Sequence, residues 1–204
     1  MWIYQRDVLK FRVVMGLHVG DVTSPGFASA AEARLCASLI NEEVGETVRA
    51  IRARDIEGLV DGLCDALYVT CGAAISIGFN MSAMVQTLSP TTSIRRPCAF
   101  ERPEHMAEIL LGAARAACLA IDDRDAYSSA PALAGLACAV GYVANEWGIP
   151  LRPFWREVQR ANMDKVGGPV RADGKRLKPP GWQGPDHWPM LVELGLAARE
   201  GGSS

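Results

Sequence analysis

Apolar and polar positions along the chain fall into blocks separated by Gly, Pro and Ser. Residues 3–15 mix apolar and charged side chains at helical spacing, and GDVTSPGFAS at 20–29 reads as a loop. Strong helix formers run without a break from about 30 to 53. ARD at 53–55 is a short connection, with Asp55 as N-cap of a second helix over 56–78 that stops near Gly78. Segment 86–104, with Pro90, Pro97 and Pro103, reads as a linker. Helix is expected again at about 104–121, 131–147 and 152–165. From Gly167 to Pro189 the chain is rich in Gly, Pro and Lys, as an extended arm or lid would be. No stretch shows strand alternation over a useful length, so the expected class is all-α.

The apolar phase also repeats. When Gly78 is placed on Gly148, an offset of 70 residues, IRARD (51–55) falls on IDDRD (121–125). Leu39 meets Ile109, Ile51 meets Ile121 and Leu63 meets Leu133. At the same offset Glu43 meets Ala113, Glu46 meets Ala116, Asp61 meets Pro131 and Asp65 meets Gly135. The second half keeps the scaffold and drops the acids. Two helical hairpins, about 30–80 and about 104–151, the second degenerate, are expected to form a four-helix core. A further helix and the arm (about 152–190) complete a single domain spanning 1–204.

Composition narrows the class. Of 204 residues, 49% are hydrophobic and 22% charged, as in an ordinary globular domain. A net charge of -2 provides no field that would attract nucleic acid or acidic lipid. Six cysteines without a CxxC pair, most of them in apolar helical patterns, are expected as reduced, buried thiols in a cytoplasmic protein. The N-terminus is charged and lacks the apolar core of a signal peptide. The uncharged run 66–94 is broken by Gly, Asn, Gln and Pro and reads as a core helix, not a membrane span. His18, His105 and His187 lack metal-ligand spacing, so zinc is not expected.

Five acids stand out against this apolar background: Glu42, Glu43 and Glu46 on the first helix, Asp61 and Asp65 on the second. Glu43 follows Leu39 by four residues and lies on the core-facing stripe. Glu42 and Glu46 are within a turn of it, and Asp61 and Asp65 are one turn apart. An antiparallel hairpin brings the two sets together. Crowded, half-desolvated carboxylates repel one another, and a divalent cation relieves that. Oxygen-only ligands suit Mg²⁺ or Mn²⁺, which commonly meet phosphates. The plainer alternative is a solvated face paired with Arg49, Arg52 and Arg54. EExxE followed by DxxxD inside an apolar helix is more specific than either motif alone.

NEEVGE (41–46), VDGLCDALYV (60–69), VQRANMDK (158–165) and DGKRLKPPGW (173–182) together resemble the MazG-like all-α NTP pyrophosphohydrolases, in particular the phage-type group. DVLKFRVVMGL (7–17) resembles that group's N-terminal segment, and residues 82–150 depart from it. The resemblance implies a metal-dependent cleavage of a nucleoside triphosphate between its α and β phosphates, giving monophosphate and pyrophosphate. Glu43, Glu46 and Asp65 would bind the metal, with Asp61 and Glu42 as further ligands or water positioners. Asn162, Lys165, Lys175 and Lys178 would grip phosphate oxygens. Purine (d)NTPs such as dGTP or dATP are the expected substrates, in a homo-oligomer (dimer or tetramer) that binds neither nucleic acid nor membrane, in the host cytoplasm if phage-encoded. Alternatives are a house-cleaning or dUTP pyrophosphatase, phosphoribosyl-ATP hydrolysis, and a non-catalytic helical assembly module.

Overall fold

The computed structural model describes residues 1–88, 100–172 and 174–197, with the backbone alone at 86–88. Most of the expected linker, Cys98, and Asp173 of the DGK sequence lie outside the described residues. Eight helices are described: α1 (Ile3–Val14), α2 (Ala30–Ala53), α3 (Ile56–Ser76), α4 (Ser82–Leu88), α5 (Pro103–Asp122), α6 (Ala126–Glu146), α7 (Leu151–Met163) and α8 (Trp188–Glu193). Among the described residues the only β pairing is an isolated bridge, Val170 with Arg176, so the all-α expectation holds.

The helix ends follow from side-chain caps. Ser29 Oγ accepts the Glu32 N–H and starts α2, and Asp55 accepts the Gly58 N–H and starts α3. Arg54 turns between them at φ 55. The same devices recur 70 residues on. Arg124 also has φ 55, Asp125 accepts the Tyr127 N–H, and α6 has the same 21-residue length as α3. Gly78 (φ 77) and Gly148 (φ 66) take the left-handed turn after each second helix, a conformation that glycine adopts without steric cost.

α2 pairs with α3 and α5 with α6. The hairpins stack as α2 on α5 and α3 on α6, the four-helix core that the repeat predicts. Ile40, Ile51, Leu63, Leu67, Leu110, Leu133 and Val140 are fully or almost fully buried between them, and each such side chain contributes about 1.5–3 kcal/mol. α1 and α7 close the remaining side of α3. There Trp155 is fully buried, donates Nε1–H to Asp7 and packs on Tyr4 and Tyr68. Trp147 is buried as well, and its indole N–H reaches the Glu101 carbonyl. α3 and α6 are long and apolar enough to cross a bilayer, but α3 is mostly buried in the bundle.

Three elements depart from the sequence reading. α6 begins at Ala126, before the expected 131, and carries Pro131 within it. The Asp125 cap and burial of Ala126 and Ser129 hold the first turn although Pro131 gives up its own backbone bond. α4 was hidden by the glycine and asparagine before it. Asn80 Oδ1 caps it by accepting from Ser82, and the Met81 N–H is taken by Gln5. α8 interrupts the arm. Pro189 fits its first turn and Leu191 is fully buried against the core.

Candidate active site

The close approach of α2 and α3 sets the site. A Cβ on Gly62 would lie 2.6 Å from Thr47 Oγ1 and 3.0 Å from Thr47 Cα, so only glycine lets the helices meet there. Thr47 turns its hydroxyl back to the Glu43 carbonyl at 2.7 Å and offers no further bulk. Around this contact Glu43 and Glu46 from α2 and Asp61 and Asp65 from α3 line one groove. Glu42 stands apart from it, paired with Lys175 at 2.7 Å.

The electrostatics reflect this crowding. Burial raises the Glu43 carboxyl to about 7, helped by repulsion from Glu46 and opposed by Lys175. Burial also raises Asp65 to about 8, with Asp61 and Glu43 adding repulsion and Lys165 opposing. Burial draws Lys165 down while Asp65 and Glu43 hold it charged. Its Nζ donates to Asn162 Oδ1 at 2.6 Å, so the two residues expected to act together on phosphate already touch. Of the arginines weighed against a metal role, Arg49 reaches Glu46 at 3.5 Å from an exposed position, whereas Arg52 turns to Glu104. An ion pair so exposed offsets little of the repulsion.

The arm closes over the site within its own chain. Arg171 donates its N–H to the Lys175 carbonyl, and Arg176 donates to the carbonyls of Gly168 and Met15. Trp182 anchors the next stretch by donating Nε1–H to the Ala161 carbonyl at 2.6 Å, which makes it a fastening residue. Lys178 lies over the Trp182 ring, 4.2 Å from its centroid, and borders neither the acidic groove nor the neighbouring cavity. Lys175, Lys165 and Asn162 do line that cavity, about 440 Å³ between α1, α2 and α3, whose wall includes Glu43 and Asp65.

One site residue escaped the sequence reading. His187 is 1% exposed, and its Nε2 shares a 3.1 Å hydrogen bond with Asp61 Oδ1. Its ring stands edge-on to Phe154. No spacing linked positions 61 and 187, and only the docking of the arm brings them together.

Residues 9–90 match the phosphoribosyl-ATP pyrophosphohydrolase family. That family consists of hydrolases that act on phosphoric anhydride bonds, and it is related to the MazG-like all-α NTP pyrophosphohydrolase superfamily. The matched stretch is less than half of the chain, yet it runs from α1 through α4 and contains all five acids. It supports a nucleotide pyrophosphohydrolase activity in general, which weighs against the reading as a non-catalytic assembly module. The second hairpin, Asn162, Lys165, Lys175, Lys178 and His187 lie beyond it. No curated protein matches the chain.

Pyrophosphohydrolases of this family typically depend on a divalent metal. The donor chemistry here fits one: five carboxylates line the groove, Asp55 being engaged as the cap of α3, no thiol or imidazole is among the lining residues although His187 holds Asp61, and two carboxyls are short of counter-charge. Among the described residues no three His, Cys, Asp or Glu side chains stand close enough together to hold one ion. Joint ligation therefore requires rotation of the exposed Glu46 and the half-exposed Asp61 toward Glu43 and Asp65.

Proposed function

We propose that the protein is a metal-dependent nucleoside triphosphate pyrophosphohydrolase that converts a (d)NTP and water to (d)NMP and pyrophosphate. Purine (d)NTPs such as dGTP or dATP are its substrates in this reading. The observation that carries it is the pair of half-buried carboxyls, Glu43 and Asp65, held near neutral pKa by burial and by their acidic neighbours. Such a pair is costly in isolation and useful when cationic charge arrives.

Glu43, Glu46, Asp61 and Asp65 would hold Mg²⁺ or Mn²⁺. A cation bound there neutralises phosphate charge and acidifies a water. The chain supplies the rest. Asn162 and Lys165 orient phosphate oxygens from the opposite wall, and Lys175 exchanges Glu42 for the polyphosphate. The covering arm limits water at the phosphates. Lys178 acts at longer range, as a positive charge near Lys165. The assembly in this reading is a homo-oligomer, dimer or tetramer, measurable by light scattering.

The test is product analysis by chromatography with Mg²⁺ or Mn²⁺. The panel contains the common dNTPs and NTPs, dUTP, oxidised dNTPs and phosphoribosyl-ATP, with Glu46→Ala as control. Monophosphate and pyrophosphate from purine (d)NTPs, lost in the variant, is the expected result. Cleavage confined to phosphoribosyl-ATP, dUTP or oxidised nucleotides would transfer the activity to one of those rivals. No turnover of any substrate with either metal would end the proposal.

A further inference from the structure

The cavity beside the acidic groove has two polar ends and an apolar middle. Glu32, Cys36, Leu39 and Glu43 form one stripe of α2, and all four line it. Eleven residues at 1.5 Å each place Glu32 about 16 Å along the helix from Glu43. That is long enough for a nucleoside and its first phosphate. Across the cavity, Asp65, Tyr68 and Gly72 succeed one another on α3. Tyr68 has a buried hydroxyl without a hydrogen-bond partner among the described residues, midway between the acidic end and the far end.

The far end is built around Arg12. Its Nε and Nη2 donate to the His18 carbonyl, and Nη2 also reaches Glu32 at 3.2 Å. Its side chain is only 12% exposed. The Glu32 carboxylate is occupied by Arg12, by His18 Nδ1 at both oxygens and by the Ala28 N–H at 2.9 Å. This leaves Arg12 Nη1, which has no partner among the described residues. Nη1 lies 3.7 Å from where a Cβ on Gly72 would stand, so the absence of a side chain at that position leaves room beside it. Of the charged groups at this end, Arg12 therefore keeps a fixed free donor, while the Glu32 carboxylate is saturated.

From this geometry we infer that the far end reads a nucleobase through an oxo group, selecting 6-oxopurines and 4-oxopyrimidines over their 6-amino and 4-amino counterparts. The inference rests on the nucleotide reading above and sharpens it, since it favours guanine over adenine among purines. An oxo oxygen accepts from Nη1. An exocyclic amine would point its own hydrogens at a buried cation and leave Nη1 unpaired.

The test uses matched pairs and needs no catalysis. Isothermal calorimetry on the full chain in metal-free buffer compares inosine with adenosine monophosphate, and uridine with cytidine monophosphate. The expected result is about tenfold tighter binding of the oxo member of each pair, the scale of one charge-assisted hydrogen bond. Arg12→Gln, which offers both a donor and an acceptor, should level each pair. Because Arg12 also fastens the His18 loop, Gly72→Leu serves as a second variant. Its side chain occupies the space beside Nη1 and should abolish binding of all four, while a circular-dichroism melt that matches wild type shows that the fold is intact. Equal affinities within both pairs in the wild type, no binding of any of the four, or an undiminished preference in a folded Arg12→Gln would overturn the inference. Triphosphate cleavage without oxo preference sinks it and spares the proposed reaction. Oxo preference without cleavage does the reverse.

Discussion

In the proposed reaction Glu43 and Asp65 carry the chemistry, and their titration gives the folded protein a pH dependence of its own. Both carboxyls are raised in the folded protein, to about 7 and about 8, so between the ordinary carboxylate range and pH 8 the native state holds more protons than the unfolded chain. Stability contributed by the neutral forms is complete at pH 4 and lost as pH rises toward 8. Metal-free protein should therefore melt at progressively lower temperature from pH 5 to 8, and Asp65→Asn should flatten that slope and melt above wild type at pH 8. Thermal scans in chelator check both. With Mn²⁺ at about a hundred times its Kd, wild type should gain roughly 5–10 °C and Glu43→Gln nothing. A wild-type melting temperature indifferent to Mn²⁺ would remove the metal site. EExxE and DxxxD made these residues visible in the sequence. The perturbation was not visible, because it depends on how deeply α3 is packed.

At the scale of elements, the α2–α3 contact and the docked arm matter most. Gly62→Ala must push Thr47 away and separate the two acidic pairs. The expected cost is about 1–3 kcal/mol in urea denaturation, with weaker Mn²⁺ binding. His187→Ala should lower kcat by about tenfold through loss of Asp61 orientation, with His187→Gln restoring most of it. Equal loss in both variants would show that His187 only fills space. Helix limits for α2 and for the start of α3 were legible because caps and propensity agree there. α6 was misjudged at its start, since Pro131 is a strong breaker in isolation and is tolerated here by packing. α8 was missed, because six residues beside two prolines carry no period.

For the whole molecule, the second hairpin explains itself by what it covers. α5 and α6 hold no counterpart of the acids, yet they lie against α2 and α3 and bury Leu110, Leu133 and Val140. Excising 100–150 and joining the flanks should expose the apolar faces of α2 and α3. The expected product binds a hydrophobic dye and shows no cooperative melt. A soluble, cooperatively folding remnant would mean that the acidic hairpin needs no such partner.

The sequence by itself determined the helical class, the 70-residue internal repeat, and the residue types able to meet a metal and a polyphosphate. These follow from local periodicity, capping and composition, which act within a few residues. Tertiary structure decided which of them share a site. It set Glu42 on Lys175 and Lys178 on Trp182, away from the groove, and it brought His187 to Asp61 across 126 positions of chain. It also aimed the free Nη1 of Arg12 at the far end of the cavity. Such pairings depend on how helices and arm dock, and no local pattern encodes that distance.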